Sequence, residues 1–420
     1  MKFLITIVPL VLGVCTFNSH AGQFVDETKV NLTAKNYFFT RDYKKESAYP
    51  AARDWAQGFI FKAQSGFTDG KIGFGIDALG LVGINLLGKN THYATANVLP
   101  VNQNNERPHT TGEFRLTAKA KMSETTLQAG TLTPMFPVLF SSPTRLFQQN
   151  YRGTQIKSNE IKNLTLNAIY VDRVNQRDST NFEYLQLANP NGRFESAAIS
   201  SRLHMLGGEY KVNNHYSVQF YNSILHDIYQ QNYLDVKSKI PLLEGNLNTN
   251  VRLFLSKDNG GALAGTIDNQ HFSGSLGFTQ NNHTFTVGYM QSFGDSALPT
   301  LSGTEPYVTI DSMSADFINQ DEKVYMLRYD YDFKDTSLNG FKIMTRYTNG
   351  YDINLPQFHK DNFKQNSWDI DLNYKVQSGI LNGLNLRARY MKYRNNMPTI
   401  GMAFRPDDEI RISSEYTWAF

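Results

Sequence analysis

The sequence predicts an all-β chain: a transmembrane antiparallel β-barrel of about eighteen strands with a constricting loop folded inward. Three observations predict it. From Asp26 onward, segments of alternating polarity recur between turn signals, and successive strand residues face opposite sides. Short polar connections alternate with long irregular ones, as in a barrel with tight turns at one end and loops at the other. The chain stops on "EIRISSEYTWAF" (409–420), where Ile412, Tyr416, Trp418 and Phe420 share one face and Arg411, Ser413, Glu415 and Thr417 the other. Left unpaired, such a strand invites edge-to-edge association, so something must cover it.

Composition excludes several classes. The 420 residues carry 41 basic and 38 acidic side chains, a net charge of +3, so the broad basic field of a nucleic-acid binder is missing and no nucleic-acid partner is expected. Mean hydropathy is −0.42, and no apolar run of about eighteen residues follows the leader, which excludes a bundle of membrane helices. That leader, "MKFLITIVPLVLGVCTFNSHAG", has Lys2, an apolar stretch over 3–14 and Ala21 at a small-residue cleavage site. It predicts a signal peptide over 1–21 and a single barrel domain over 22–420. Cys15 is the only cysteine. The exported chain therefore has no disulfide and no cysteine metal site.

The strands follow in order. In "EFRLTAKAKM", Phe114, Leu116, Ala118, Ala120 and Met122 oppose Arg115, Lys119 and Lys121. "KVYMLRYDYDF" sets Tyr325, Leu327, Tyr329, Tyr331 and Phe333 against Arg328, Asp330 and Asp332. "FKIMTRYTN" sets Phe341, Ile343 and Tyr347 against Lys342 and Arg346. In "SWDIDLNYKVQ" and "LNLRARYMKY" one row is aliphatic and aromatic, and the other holds Asp369, Asp371, Lys375, Arg387 and Arg389. A row charged on both signs opposite a greasy row with aromatics near its ends suits a wet lumen inside and lipid outside. The stretches near 88–111, 133–151, 174–200, 294–321, 351–363 and 395–408 read as long connections. "FTDGK", "VNNH", "TQNNH" and "KDTSLNG" read as tight turns. The final strand can then pair with the first, over 29–40, and closure removes both edges.

Basic residues on the polar rows are the candidate substrate track: Lys35, Arg41, Arg115, Arg328, Arg346, Arg387, Arg389 and Arg411. Each could pair with a neighbouring carboxylate and merely satisfy the wall. Those on the first and last strands become neighbours on closure, and a line of cations would guide an anionic group because low-dielectric walls focus the field. The segment 131–153 contains Pro134, Met135, Phe136, Pro137 and Arg145. It is too apolar to stand in water. Either it folds inward and narrows the lumen, with Arg145 at the constriction, or it packs on a neighbouring loop. "GFGIDALG" (73–80) matches a dinucleotide fingerprint only superficially, since it continues as a strand. Its small lumen-side residues leave room for the inward loop. No G-x-S-x-G or H-E-x-x-H occurs and the histidines are scattered, so no enzyme, metal or cofactor is expected. A barrel hydrolase with residues gathered from separate strands, or a structural or adhesive barrel, is the alternative.

Taken together, "NYFFTRD" (36–42), "RDWAQGF" (53–59), "SGFTDGKIGFGIDALGLVG" (65–83), "TRLFQQNYRGTQIKSNEI" (144–161), "DIYQQNYL" (227–234), "RYTNGYDI" (346–353), "VQSG" (376–379) and "LRAR" (386–389) resemble the OprD-type family of substrate-specific outer-membrane porins. The resemblance implies an eighteen-stranded barrel in a Gram-negative outer membrane, a third loop in the lumen and an arginine track. Arg41, Arg387, Arg389 and Arg411 match that track, and 134–149 matches the constricting loop. "RDSTNFEY" and "GTEPYVTIDSMSADF" stand where the family supplies further lumen groups, which makes Tyr307 and Asp311 secondary candidates. Implied cargo is a small carboxylate or an amino acid, moved passively and without a cofactor. Lipid and lipopolysaccharide would surround a monomer or loose trimer.

Overall fold

The computed structural model describes residues 22–420 apart from 46, 89–91, 103–105, 311 and 314. The expected signal peptide lies outside the described residues. A short helix, Gly22–Asp26, leads into the barrel. Its first nine strands are β1 (Lys29–Tyr43), β2 (Ala51–Gln64), β3 (Gly73–Asn85), β4 (Thr110–Met122), β5 (Thr125–Leu132), β6 (Asn150–Ile161), β7 (Leu164–Asn175), β8 (Leu203–Lys211) and β9 (Tyr216–Leu225). The others are β10 (Tyr229–Leu242), β11 (Gly245–Asp258), β12 (Asp268–Gln280), β13 (His283–Phe293), β14 (Lys323–Asp332), β15 (Phe341–Leu355), β16 (Lys360–Lys375), β17 (Asn385–Asn395) and β18 (Asp407–Ala419).

These strands form the closed 18-strand antiparallel barrel that the alternation predicts. Closure runs from Asn31↔Ala419 to Tyr43↔Asp407, and the Phe420 N–H donates to the Val30 carbonyl at 2.9 Å. Neither terminal strand is left as an edge, so every backbone group at lipid depth can be paired. The period of two sorts the side chains. Ile412 is 51% exposed on the outer wall, while its neighbour Arg411 is 2% exposed inside. Phe114, Leu206, Leu276 and Leu327 are likewise exposed outside, an apolar belt that only a hydrocarbon surround makes favourable.

One end carries tight turns. Those at 162–163 and 281–282 use Asn163 and Asn281 at positive φ, which asparagine tolerates better than most residues. The 65–72 connection instead bends into the barrel, and this corrects the reading of the small residues at 73–80. A Cβ on Gly75 would lie 2.6 Å from the Gly66 carbonyl oxygen, and one on Gly73 2.7 Å from that of Thr68. Those glycines make room for the preceding turn. The inward loop is seated instead against Gly58 and Gly83, where a Cβ would fall 2.9 Å from Leu146 and 3.1 Å from Phe147 respectively.

A second correction concerns 351–363, expected as a long connection. β15 continues to Leu355 and β16 restarts at Lys360, joined by a single turn, with register shifts around Ile353. Asp352 and Asn362 adopt positive φ. Residues that signal a turn therefore make bulges within paired strands.

Three long connections, 133–149, 176–202 and 294–322, fill the loop end of the barrel. Leu139, Leu185, Leu187, Leu298, Ile310 and Phe317 are almost completely buried there. A second core sets Leu99, Leu146 and Phe147 on Tyr37, Phe39 and Ala56 of the wall. The hydrophobic core thus sits inside the barrel and holds the loops that shape the lumen.

Candidate functional site

β1 presents Lys35, Tyr37, Phe39 and Arg41 to the lumen beside Glu409 and Arg411 of β18. Arg41 Nε and Nη2 donate to Glu409 Oε2 at 3.0 and 2.7 Å, and Arg411 Nε donates to Oε1 at 2.5 Å. Arg411 also donates to the Met313 carbonyl at 2.5 Å. Phe39 lies among the guanidinium groups of Arg41, Arg145 and Arg411, at 5.5, 4.9 and 5.3 Å from its ring centroid. Its π-face partly offsets the cost of gathering cations there.

The row continues along the wall. Arg389 stands across the ladder from Arg411, and its Nε lies 3.3 Å from Asp371 Oδ2. That carboxylate also receives Arg387, whose Nε donates to Oδ1 at 2.9 Å. On the next strand Arg346 donates to Asp369 Oδ2 through Nε and Nη2 at 2.9 and 2.7 Å, with both residues buried. Arg328, across the ladder from Arg346, holds Asp330 of its own strand at 2.7 Å. The structure therefore gathers Arg41, Arg411, Arg389 and Arg387 into one row and extends it sideways through Arg346 and Arg328. Arg115 stands apart. It pairs with Glu113 at 2.7 Å and donates to the Thr180 carbonyl at 3.1 Å. Lys35 turns to backbone: its Nζ donates to the Arg145 carbonyl at 2.8 Å and lies 3.6 Å from Glu415.

The segment 134–149 folds inward as a small hairpin, Met135–Phe136 against Leu139–Phe140. The Ser141 N–H donates to the Pro134 carbonyl at 2.8 Å, and Phe136 packs 5.5 Å from Tyr221. Pro137 and Val138 meet residues 298–301 beside the hairpin. Arg145 is buried and donates to the carbonyls of Ala96 and Thr144 at 3.4 and 3.5 Å. Burial, then the charges of Arg411 and Arg177, push its guanidinium down to about 9, against the more distant support of Glu409, so it stays charged near neutral pH. Tyr307 packs 5.7 Å from Phe140 and 6.3 Å from Tyr233, with Arg252 4.5 Å over its ring. Asp311 lies outside the described residues.

Arg177, Glu305 and Asp316 lie in "RDSTNFEY" and "GTEPYVTIDSMSADF", the stretches that the resemblance marks for further lumen groups, but the sequence singled out none of the three. Arg177 lies on 176–202, and its charge is weakened first by burial and then supported by Glu305 and Asp178. Glu305 accepts from Thr144 Oγ1 at 2.5 Å. Asp316 is clasped by Arg193 Nη1 and Nη2 at 2.8 and 2.5 Å. A further signal pointed to them: apolar residues such as Leu185, Leu187, Leu298 and Phe317 are scattered through connections that should otherwise be polar.

Two cavities lie along this wall. The upper, about 450 Å³, is lined by Arg41, Arg145 and Arg177 on one side and by Glu305 and Asp316 on another. The lower, about 800 Å³, is lined by Arg328, Arg346, Asp371, Arg387 and Arg389. Arg411 lies between them, bonded to Glu409 above and facing Arg389 below. Such a lumen can hold a planar anionic group by paired N–H donors at successive heights.

Residues 22–420 match the family model described as "outer membrane porin, OprD family". The crystal structure of Acinetobacter baumannii OccAB3 superposes with a TM-score of 0.92 at 47% identity, covering 94% of this chain and all of that one. Pseudomonas aeruginosa OpdK, crystallised with vanillate, gives 0.86 at 29% identity, with 94% and 100% covered. The porin-like protein GalP of Pseudomonas putida is 32% identical over 379 residues, 90% of this chain and 89% of that protein. A closed barrel with loops folded into a charged lumen, matched in sequence from end to end, places this chain in the OprD family of Gram-negative outer-membrane porins.

Proposed function

We propose that small carboxylate-bearing molecules, either amino acids or simple and aromatic carboxylates, cross the outer membrane through this lumen by passive, selective diffusion along the guanidinium row. Arg145 is the observation that carries the reading. It is buried at the neck and donates to carbonyls, and among the described residues no carboxylate lies within ion-pair distance of it. A carboxylate arriving from the loop side would complete its fork.

Below the neck each step is a competition. Glu409 holds Arg41 and Arg411, and Asp371 holds Arg387 and approaches Arg389. A passing carboxylate shares these arginines with fixed anions, so no single station binds tightly enough to block flow. Handover from Arg145 to Arg411, Arg389 and Arg387 then needs only weak exchange of hydrogen bonds. Glu305 and Asp316 line the same upper cavity and suit an ammonium group, which favours amino acids. The vanillate in OpdK is an aromatic carboxylate and favours the other branch. Each chain closes its own lumen, so passage belongs to the single chain, in a monomer or a loose trimer. The leader 1–21 would be removed on export.

Planar-bilayer recording tests this, with benzoate and arginine added to a KCl current. Both probes should reduce the current in the wild type. The Arg387→Ala, Arg389→Ala double variant should lose that effect. A structural or adhesive barrel would show no difference between the two proteins. Absence of any carboxylate effect in the wild type would overturn the reading.

A further inference from the structure

Consecutive inward residues of β1 meet consecutive carbonyls of the constricting loop. Lys35 Nζ donates to the Arg145 carbonyl at 2.8 Å, and Tyr37 Oη donates to the Thr144 carbonyl at 2.9 Å. The next inward residue, Phe39, lies under the Arg145 guanidinium at 4.9 Å. Leu146 and Phe147, which follow Arg145, are seated against Gly58 and Gly83. One edge of the wall therefore fixes the backbone on which Arg145 sits, the stack beneath its side chain and the residues after it.

We propose that Lys35 and Tyr37 are positioning residues: together they strap the constricting loop to β1 and so aim Arg145 into the upper cavity. This rests on the carboxylate reading above and deepens it. Lys35 has the charge of a track residue but spends its strongest hydrogen bond on a carbonyl. Its ammonium also lies near Glu415, at 3.6 Å, which leaves little net field for a passing anion. Tyr37 is 4% exposed and neutral, so it has no track role at all. A carbonyl released from either donor is free to rotate, and the adjoining side chain moves with it.

The two readings of Lys35 predict different patterns. Currents are recorded in planar bilayers for Lys35→Met, Lys35→Arg, Tyr37→Phe, Arg145→Ala and the Lys35→Met, Arg145→Ala double variant, with benzoate as the competing anion. Under the strap, Tyr37→Phe and Lys35→Met each raise the half-blocking benzoate concentration about three- to tenfold, the factor that matches one ordinary hydrogen bond. Lys35→Arg restores most of the wild-type value. Adding Lys35→Met to Arg145→Ala changes nothing further, because the strap acts only through Arg145. A silent Tyr37→Phe, or effects of Lys35 and Arg145 that simply add, would overturn the proposal. If Lys35→Met fails to assemble, Tyr37→Phe and Lys35→Arg still decide it. A wild-type channel indifferent to benzoate would instead sink the carboxylate reading itself, so the two failures are distinguishable.

Discussion

Arg41 and Arg411, from the first and last strands, grip opposite oxygens of the single carboxylate Glu409. That carboxylate is fully buried, and it draws together the two strands whose pairing closes the barrel. It also tempers two guanidinium groups that would otherwise repel across a low-dielectric lumen. Glu409→Gln should therefore weaken the seam and strengthen the positive field at once. The expected loss of stability is about 3 kcal/mol, the scale for removing one partner of a buried ion pair. Urea unfolding in detergent should show it. In a KCl gradient the reversal potential should move towards the anion value. A shift towards the cation value would contradict the field argument.

Arginines in the same row should not respond alike. Arg346 and Asp369 are both buried and bonded through two N–H groups, so Arg346→Met strands a carboxylate and should cost about 3–5 kcal/mol in stability. Arg389 has only a distant share of Asp371, so Arg389→Ala should unfold almost like the wild type while losing benzoate competition. Unfolding curves and bilayer currents on the same two preparations would separate them. Equal behaviour in both measurements would show that the row does not divide into wall and track.

The seat of the inward-folded loop 134–149 predicts a steric phenotype. At Gly58 an added Cβ would lie 2.9 Å from Leu146 Cδ1, closer than real Cβ contacts sit, and 3.1 Å from Phe147, tighter than most. Gly58→Val should displace these side chains from the wall, and deletion of 134–149 removes the whole inward segment. Single-channel conductance should rise modestly in the first and strongly in the second. Unchanged conductance after the deletion would mean that this loop does not narrow the pore.

How much of this was legible depended on whether geometry repeats. Ile412 beside Arg411, or Leu327 beside Arg328, exposes the wall because a strand sorts neighbours to opposite faces, and a wet interior inside an oily exterior makes each face chemically distinct. Pairing of β1 with β18 followed, because an aromatic terminal strand needs a cover. Loops have no such period. Leu185, Leu298 and Ile310 anchor two further connections in the lumen, yet their apolar neighbours follow no regular spacing, so the stretches holding Arg177 and Glu305 were marked only by resemblance and neither residue was singled out. The turn signals at Asp352 and Asn362 were real but became bulges, because ladder pairing on both flanks kept the strands intact. Lys35 shows a different limit. Its charge was visible, but only the folded chain reveals that a loop carbonyl lies within its reach.

The foot of the 294–322 connection predicts a dependence on pH. Glu322 is 1% exposed. Its Oε2 accepts from the Asn319 N–H at 3.0 Å and from Asn319 Nδ2 at 2.8 Å, and its Oε1 accepts from Gln365 Nε2 at 2.7 Å. Gln365 is in turn held by the Tyr393 hydroxyl at 2.6 Å, and Asn319 receives Arg193 Nε at 3.1 Å beside Asp316. Burial pushes the Glu322 carboxyl up to about 7, against the hydrogen bonds from Gln365 and Asn319. The folded protein then keeps a proton that the unfolded chain releases near 4.5. Its contribution to stability is full below that value and is lost as pH rises through about 7, by about 3 kcal/mol in total. Thermal unfolding should therefore occur at a lower temperature at pH 8 than at pH 5. Amide exchange over 315–322 should accelerate in parallel. Glu322→Gln removes the titrating group and should flatten both trends, even if its own unfolding temperature falls because an amide cannot accept at both positions. A variant that keeps the wild-type slope would move the pH dependence to another carboxylate of the lumen.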